Sequence, residues 1–374
     1  MIRAVLALCL LLAWPAAAQD DPARAAAEAA ARLEEAARLL DSAEGGRDRV
    51  EALTATLRAY EDGLAALRDG LRRAAIRARA IELDLAAREA EVSRLLGVLS
   101  TLSSAPAPLL LLHPSGPTGT ARSGMILSDV TPALHAEAEA LRSQLEELAL
   151  LRLLQDEAAE TLSGGLAGAQ EARAALSEAI AERTDLPRRF SEDRIAMAAL
   201  LASADTLAAF AEGLPVTVAA EGPGAAPPAP EPGSLPLPVE GTLLRGFDQP
   251  DAAGIRRPGW ILAARPGALV TAPAAATIRY AGPLLDYGQV VIVEPGPDLL
   301  IVLAGLATVY GTPGEVVPAG TPLGLMGGAE PADVQQILTE TTGPVAGTRS
   351  ETLYVEVRNG QSAVDPAAWF ASRP

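Results

Sequence analysis

Residues 351–360, ETLYVEVRNG, decide how the second half of this chain is read. Thr352, Leu353, Tyr354, Val355, Glu356 and Val357 alternate β-branched and aromatic residues with others, which is the pattern of a strand. Ala268–Val270, Thr277–Tyr280, Gln289–Glu294 and Leu299–Leu303 are further short β runs, separated by Gly and Pro turns. This spacing predicts a small, mainly antiparallel β domain over residues 239–374.

The first half has a different period. Residues 22–103 are rich in Ala, Leu, Glu and Arg, and no Pro stands between Pro22 and Pro106. Val50, Leu53, Leu57, Tyr60, Leu64, Leu67 and Leu71 follow spacings of three and four, continued by Ala74, Ala78, Ile81, Leu85, Arg88, Val92, Leu95, Leu99 and Leu102. Arg88 is the one charged position in that seam. A 3.5-residue repeat makes a helix supercoil with a partner. Gly45 and Gly46 weaken the helix and mark a break upstream.

Residues 131–186 supply such a partner, with Leu134, Ala138, Leu141, Leu145 and Leu148, then Leu162, Leu166, Ala169, Leu176 and Ile180 after a shift. Thr131 and Pro132 suit an N-cap and first helical position. The expected architecture is a long antiparallel coiled-coil hairpin over 19–186 with its tip at 104–130; a parallel homodimer is the competing arrangement. Leu109–Leu112 form an apolar patch in the tip, suited either to packing on its own helices or to docking another protein.

A third helical piece is expected within 187–214, where Met197, Leu200, Ala204, Leu207 and Leu214 share a face. It is too short to stand alone in water. Residues 215–238, with nine Gly or Pro from Gly222 to Pro236, read as a semi-extended, partly mobile linker.

At the start, a basic Met1–Arg3, the apolar run Ala4–Trp14 and Ala16–Ala18 before Gln19 read as a secretory signal, residues 1–18. Cys9, the only cysteine, lies inside it, so the exported chain is expected to have no disulfide. The formal charge of −17 speaks against non-specific binding of nucleic acid or anionic lipid.

From about Val239 to Phe370 the β domain resembles the LytM (lysostaphin-type) endopeptidases, whose fold is a duplicated hybrid. Gly241-Thr242-Leu243 before Arg245-Gly246-Phe247 is similar to the family's first strand. Arg257-Pro258-Gly259-Trp260-Ile261 stands at its His-x-Gly-x-Asp. Pro266–Pro273, Tyr287–Ile292 and Val317–Gly324 are similar to its glycine turns and the strands beside them, and Asn359-Gly360 with Asp365-Pro366 to its ending.

Active members hold zinc with a His and an Asp of the first motif and a His of the last, with a further His assisting. By that resemblance Arg257 replaces the first His, Ile261 the Asp, Gly305 the middle His, and Thr352 and Tyr354 the two of His-x-His. Arg repels a dication, and Ile and Gly offer no donor. The only His residues, His113 and His135, are in the helical half. No metal, no cofactor and no catalysis are therefore expected, although Asp248, Asp286 or Glu356 are isolated carboxylates.

Signal, helical half, linker and a zinc-less LytM domain in this order resemble the EnvC-type murein hydrolase activators. That resemblance implies a periplasmic activator of a cell-wall N-acetylmuramoyl-L-alanine amidase, recruited by the FtsEX complex through its coiled coil, with peptidoglycan contact but no nucleic acid. It places a partner-binding groove at Arg257, Tyr287, Val290, Tyr354 and Arg358, covered by the third helix; the loop 327–350, which contains the helical-looking Pro331–Thr339, departs from the family by being longer than its Gly-rich turn, and is a second candidate cover. Val290 suits strand core equally, Tyr354 could plug the vacated site, and Arg257 and Arg358 suit a solvated surface.

Overall fold

The computed structural model describes residues 22–90, 93–94, 97, 117–183, 186–221, 225–328 and 350–371. The signal segment 1–18, the patch Leu109–Leu112, His113 and Pro331–Thr339 lie outside the described residues. Among the described residues, no helix is long and apolar enough to cross a membrane.

Three long helices come first: α1 (Pro22–Asp41), α2 (Gly46–Ala87) and α3 (Pro117–Glu182). The break between α1 and α2 falls at the expected Gly45-Gly46. The start of α3 differs from expectation. It begins at Pro117, so residues 117–130 are helical rather than tip, and Pro132 lies inside the helix. Pro117 takes the first helical position, where a missing N–H costs nothing. An interior proline gives up one backbone hydrogen bond at a cost of about 3 kcal/mol.

The chain divides into two units. In the unit Leu67–Ser163, Ala78 and Ile81 of α2 pack on Leu148 of α3, with Leu85 and Leu151 beside them. Arg77 reaches Glu147 at 2.6 Å, Glu82 meets Arg152 at 3.0 Å, and Arg88 meets Glu137 at 3.3 Å. Gln144 also donates to Asp84 at 3.1 Å, so Arg77, Asp84 and Arg88 meet Glu147, Gln144 and Glu137 in turn, and the two helices run antiparallel here. The charged seam position Arg88 is thus accommodated by Glu137 and by Asp84 one turn back.

The other unit contains α1, the start of α2 to Ala66, the end of α3 from Gly164 and all the described strands. Leu57 and Leu64 of α2 and Leu166, Ala169 and Leu176 of α3 are buried. A Cβ on Gly168 would lie 2.6 Å from the Tyr60 ring, and one on Gly165 2.9 Å from Leu64. These glycines let the two helices approach where large side chains cross.

Strands β1 (Phe190–Glu192) and β2 (Val218–Glu221) form a separate two-stranded ribbon. The main sheet is built from β3 (Gly241–Arg245), β4 (Trp260–Ala264), β5 (Leu269–Thr271), β6 (Ala276–Pro283), β7 (Gln289–Gly296), β8 (Leu299–Val309), β9 (Val316–Val317), β10 (Pro322–Met326), β11 (Glu351–Asn359) and β12 (Ser362–Val364). Its order is β3-β4-β11-β8-β7-β6-β9, with β10 joining β5 to β8 and β12 pairing with β11; every pairing is antiparallel. Side chains alternate between its faces. Leu353, Val355 and Val357 of β11 join Ile301, Leu303, Val291 and Val293 in one core. Tyr354, with Val302, Ala304, Val290 and Ile292, lines the other face.

Two expectations need correction here. The third helical piece is two helices, α4 (Arg194–Ser203) and α5 (Leu207–Gly213), continued by a 3-10 turn to Thr217. Asp193 caps α4 by accepting from the Ile195 and Ala196 amides, and Thr206 caps α5 through the Ala209 amide. Two caps so close in sequence split what an apolar count reads as one helix. The segment 215–238 is not a free linker. Val218–Glu221 pairs with β1, and Leu235 and Val239 are buried in the β core. The Leu235 amide donates to Trp369 O at 3.1 Å, and the Ala371 amide donates back to Leu235 O at 2.8 Å. Proline excludes helix from this stretch but leaves carbonyls and apolar side chains free to bind an edge.

Helix α2 is fastened to the strands by polar contacts. Glu61 accepts from the Leu269 amide at 3.0 Å, Arg265 donates to Glu61 O at 2.9 Å, and Arg58 donates to Thr271 Oγ1 at 2.8 Å. Burial pushes the Glu61 carboxyl up to about 7, against the lowering effect of Arg265, the Leu269 amide and Arg173. The folded state therefore holds this proton more tightly than the unfolded chain. Stability from this group is full below about 4.5 and declines as pH rises to about 7, by roughly 3 kcal/mol. Equilibrium unfolding across that pH range should show the decline in the native chain and much less of it in Glu61→Gln.

Candidate functional site

The face of the sheet carrying Tyr354 is where the residues singled out in the sequence come together. Residues i, i+2 and i+4 of β11 place Tyr354, Glu356 and Arg358 on one side. All three are buried. The Tyr354 hydroxyl donates to Glu356 Oε2 at 2.6 Å, and Arg358 Nη1 donates to Glu356 Oε1 at 2.9 Å. Arg358 Nη2 also donates to Gln361 O at 2.6 Å, and Glu212 of α5 stands 3.9 Å from it. Burial, and then the Glu356 carboxylate, push the Tyr354 hydroxyl far above its ordinary range. It is a hydrogen-bond donor at any physiological pH.

Tyr287 packs its ring 5.8 Å from that of Tyr354, and Val290 is fully buried beside them. Arg257 is exposed, near enough to act on the Tyr287 and Tyr354 hydroxyls through its charge. Ile261 on β4 lies opposite Tyr354 in register and is half-buried. Thr352 is exposed. The structure thus gathers Tyr287, Val290, Tyr354 and Ile261 in one apolar patch, with Arg358 at its charged end and Arg257 outside.

The patch is covered. Met197 of α4, Ala204 after it, Leu207 and Phe210 of α5, and Leu214 are buried against Tyr280, Leu284, Val290, Ile292, Val302, Ala304 and Tyr354. Phe210 meets Tyr280 edge-on at 4.8 Å. Val290, Tyr354 and Arg358 therefore do not line an open groove. The sequence reading took Glu356 for an isolated carboxylate, whereas it accepts from both Tyr354 and Arg358, and it passed over Phe210 and Glu212. Glu356 was legible as the carboxylate between two residues already chosen, and Phe210 as the residue one turn from Leu207.

Zinc does not fit this set of residues. Ile261 is apolar, and the Tyr354 hydroxyl is held by Glu356. Gly305 has φ +96°, and a Cβ there would lie 2.5 Å from Thr352 O. It is the extra residue of a bulge, since Ala304 and Leu306 pair with Val290 and Gln289. Any side chain at that position, histidine included, requires the backbone to move. Among the described residues no three His, Cys, Asp or Glu gather as a metal site would need.

Residues 256–366 match the model of Peptidase family M23. The chain carries an M23 (LytM-type) domain. A protein of Neisseria meningitidis, NMB1333, described as uncharacterized, is 28% identical over 138 residues, 37% of this chain and 20% of its own length. Helicobacter pylori Csd3 is similar over 37% of this chain and 35% of its own, at 21% identity and a TM-score of 0.28. A putative peptidase M23 from Pseudomonas aeruginosa is similar over 40% of this chain and 56% of its own, at 23% identity and a TM-score of 0.30. The chain spans a fifth of the meningococcal relative and about a third to a half of the two solved chains.

In this M23 domain the Tyr354–Glu356–Arg358 chain is expected to be structural. Removing one partner of a buried ion pair costs about 3–5 kcal/mol, because the other charge is left uncompensated. Arg358→Ala should fall in that range by urea unfolding. Tyr354→Phe, which removes one hydrogen bond to the buried carboxylate, should cost about 1–3 kcal/mol.

Proposed function

We propose that this chain is a non-catalytic, exported activator of a cell-wall N-acetylmuramoyl-L-alanine amidase. It works in the periplasm during septal peptidoglycan splitting and is recruited by the FtsEX complex through the α2–α3 helices acting as a coiled coil. The observation that carries the reading is the replacement at the zinc-holding positions. Arg257, Ile261, Gly305, Thr352 and Tyr354 stand there, and Gly305 has no room for a side chain. A groove stripped of its metal ligands keeps shape and apolar surface, which suit a partner's amphipathic helix.

The cover over that face supports a restrained activator. Leu207, Phe210 and Leu214 each bury enough apolar surface to contribute about 1.5–3 kcal/mol. An amidase helix reaches Val290 and Tyr354 only by displacing them. Such a helix would meet Arg358 at one end, and a carboxylate in the place of Glu212 suits it. Arg257 remains exposed for a first contact.

Glu192 and Val218 are opposed in the β1–β2 ribbon, so residues 193–217 can be replaced by a short Gly-rich turn. The purified chain and this variant are to be added to a cognate amidase acting on dye-labelled sacculi. The variant should stimulate dye release more than the intact chain. Equal stimulation removes the restraint, and none from either removes the activator. Stoichiometric zinc, with dye release in the absence of amidase, would establish a metallo-endopeptidase instead.

A further inference from the structure

A cleft of about 390 Å³ lies where α2 rests on the turn before β10, away from the covered face. Its walls carry three guanidinium groups, from Arg47, Arg58 and Arg183, against one carboxylate, Glu51. Arg47 and Arg58 are eleven residues apart, three helical turns, which puts both on one face of α2 about 16 Å apart. Between them that face presents Val50 and Thr54 to the cleft. The opposite wall is the turn Pro318–Pro322, where Gly320 has φ +80°. That backbone conformation favours glycine, and a Cβ there would only touch Arg58 Nη1, at 3.7 Å.

What distinguishes Arg47 and Arg58 is that both line the cleft and, among the described residues, neither has a carboxylate partner. Arg73, Arg77, Arg79, Arg142 and Arg152 on the same helices are each ion-paired with a carboxylate. Among the described residues no carboxylate pairs with Arg47 or Arg58, and Arg58 donates to one neutral oxygen, Thr271 Oγ1. Two cations thus face one concave surface whose walls carry a single carboxylate, Glu51, in a chain of net charge −17. The adjoining cleft beyond Arg58 is lined by Glu61, Asp62 and Glu240, so the basic stretch ends at Arg58.

We propose that this cleft binds a short acidic peptide in extended form, its carboxylates held by Arg47 and Arg58. An extended chain advances about 3.3 Å per residue, so a peptide of four or five residues is about as long as the 16 Å or so of helix between the Arg47 and Arg58 backbones. Each guanidinium can take a carboxylate through paired N–H donors. Stem peptides of the cell wall have this chemistry. Choosing one as the probe rests on the proposed place of the protein at the wall; the binding is read without any amidase, so either idea can fail without the other.

Fluorescence anisotropy of the full chain with labelled L-alanyl-γ-D-glutamyl-meso-diaminopimelyl-D-alanine tests the site. Saturable binding is expected, weakened at least tenfold by Arg47→Ala, retained largely by Arg47→Lys and abolished by Arg47→Ala with Arg58→Ala. The Arg47 side chain is exposed and has no hydrogen bond or ion pair among the described residues, and circular dichroism checks the double variant. The same peptide with amidated carboxylates should bind at least tenfold more weakly. The proposal is overturned by wild-type affinity in Arg47→Ala, by equal binding of the amidated peptide, by inorganic phosphate displacing the probe as readily as unlabelled peptide, or by absence of saturable binding.

Discussion

The alternation of side chains along β11 is the constraint on which the rest of the strand-bearing unit depends. β11 lies between β4 and β8, so both its edges are paired and neither face can slip. Leu353, Val355 and Val357 are committed to one core, and Tyr354, Glu356 and Arg358 to the other side. A shift of one residue would put a buried ion pair into the apolar core. The Tyr–Glu–Arg chain is tolerated because both Glu356 oxygens have donors and the arginine is further held by Gln361 O. The face that results is apolar at Tyr287, Val290 and Ile261 and charged at Arg358, and it is what α4 and α5 cover.

Two buried carboxylates in this unit illustrate different solutions to desolvation. Glu356 lies against a guanidinium and a hydroxyl on its own strand. Glu61 reaches across from α2 to a backbone amide, and there burial outweighs the nearby arginines and raises its proton affinity. The first arrangement is complete within one element. The second exists only while helix and strands stay in contact, which makes it sensitive to both pH and docking.

Much of the candidate site could be read from residue types. The strand at 351–360 and an apolar helical segment near 192–214 follow from composition and period, whereas the replacement of the family's ligand and catalytic residues at Arg257, Ile261, Gly305, Thr352 and Tyr354 is what the resemblance to LytM endopeptidases implies. The same reasoning failed where local signals compete. Pro132 looked like a helix start because a proline suits that position, but Pro117 suits it too and lies upstream. The prolines of 215–238 suggested freedom, yet Leu235 and Val239 are anchored in the core by partners more than a hundred residues away. Asp193 and Thr206 are ordinary cap residues whose presence in one apolar stretch meant two helices.

By itself the sequence determined the two periods of this chain, the strand that divides the β core and the lack of any His or Cys in residues 187–374. These are consequences of residue chemistry and spacing along a single element, and they need no knowledge of what lies opposite. Only the tertiary structure decided that the vacated face is covered by Phe210 and Leu214, that Arg358 is buried beside Glu356, and that Arg47 and Arg58 look into a common cleft. Each of those depends on which distant segment packs against which, and contacts between elements are set by the whole fold rather than by the pattern of any one of them.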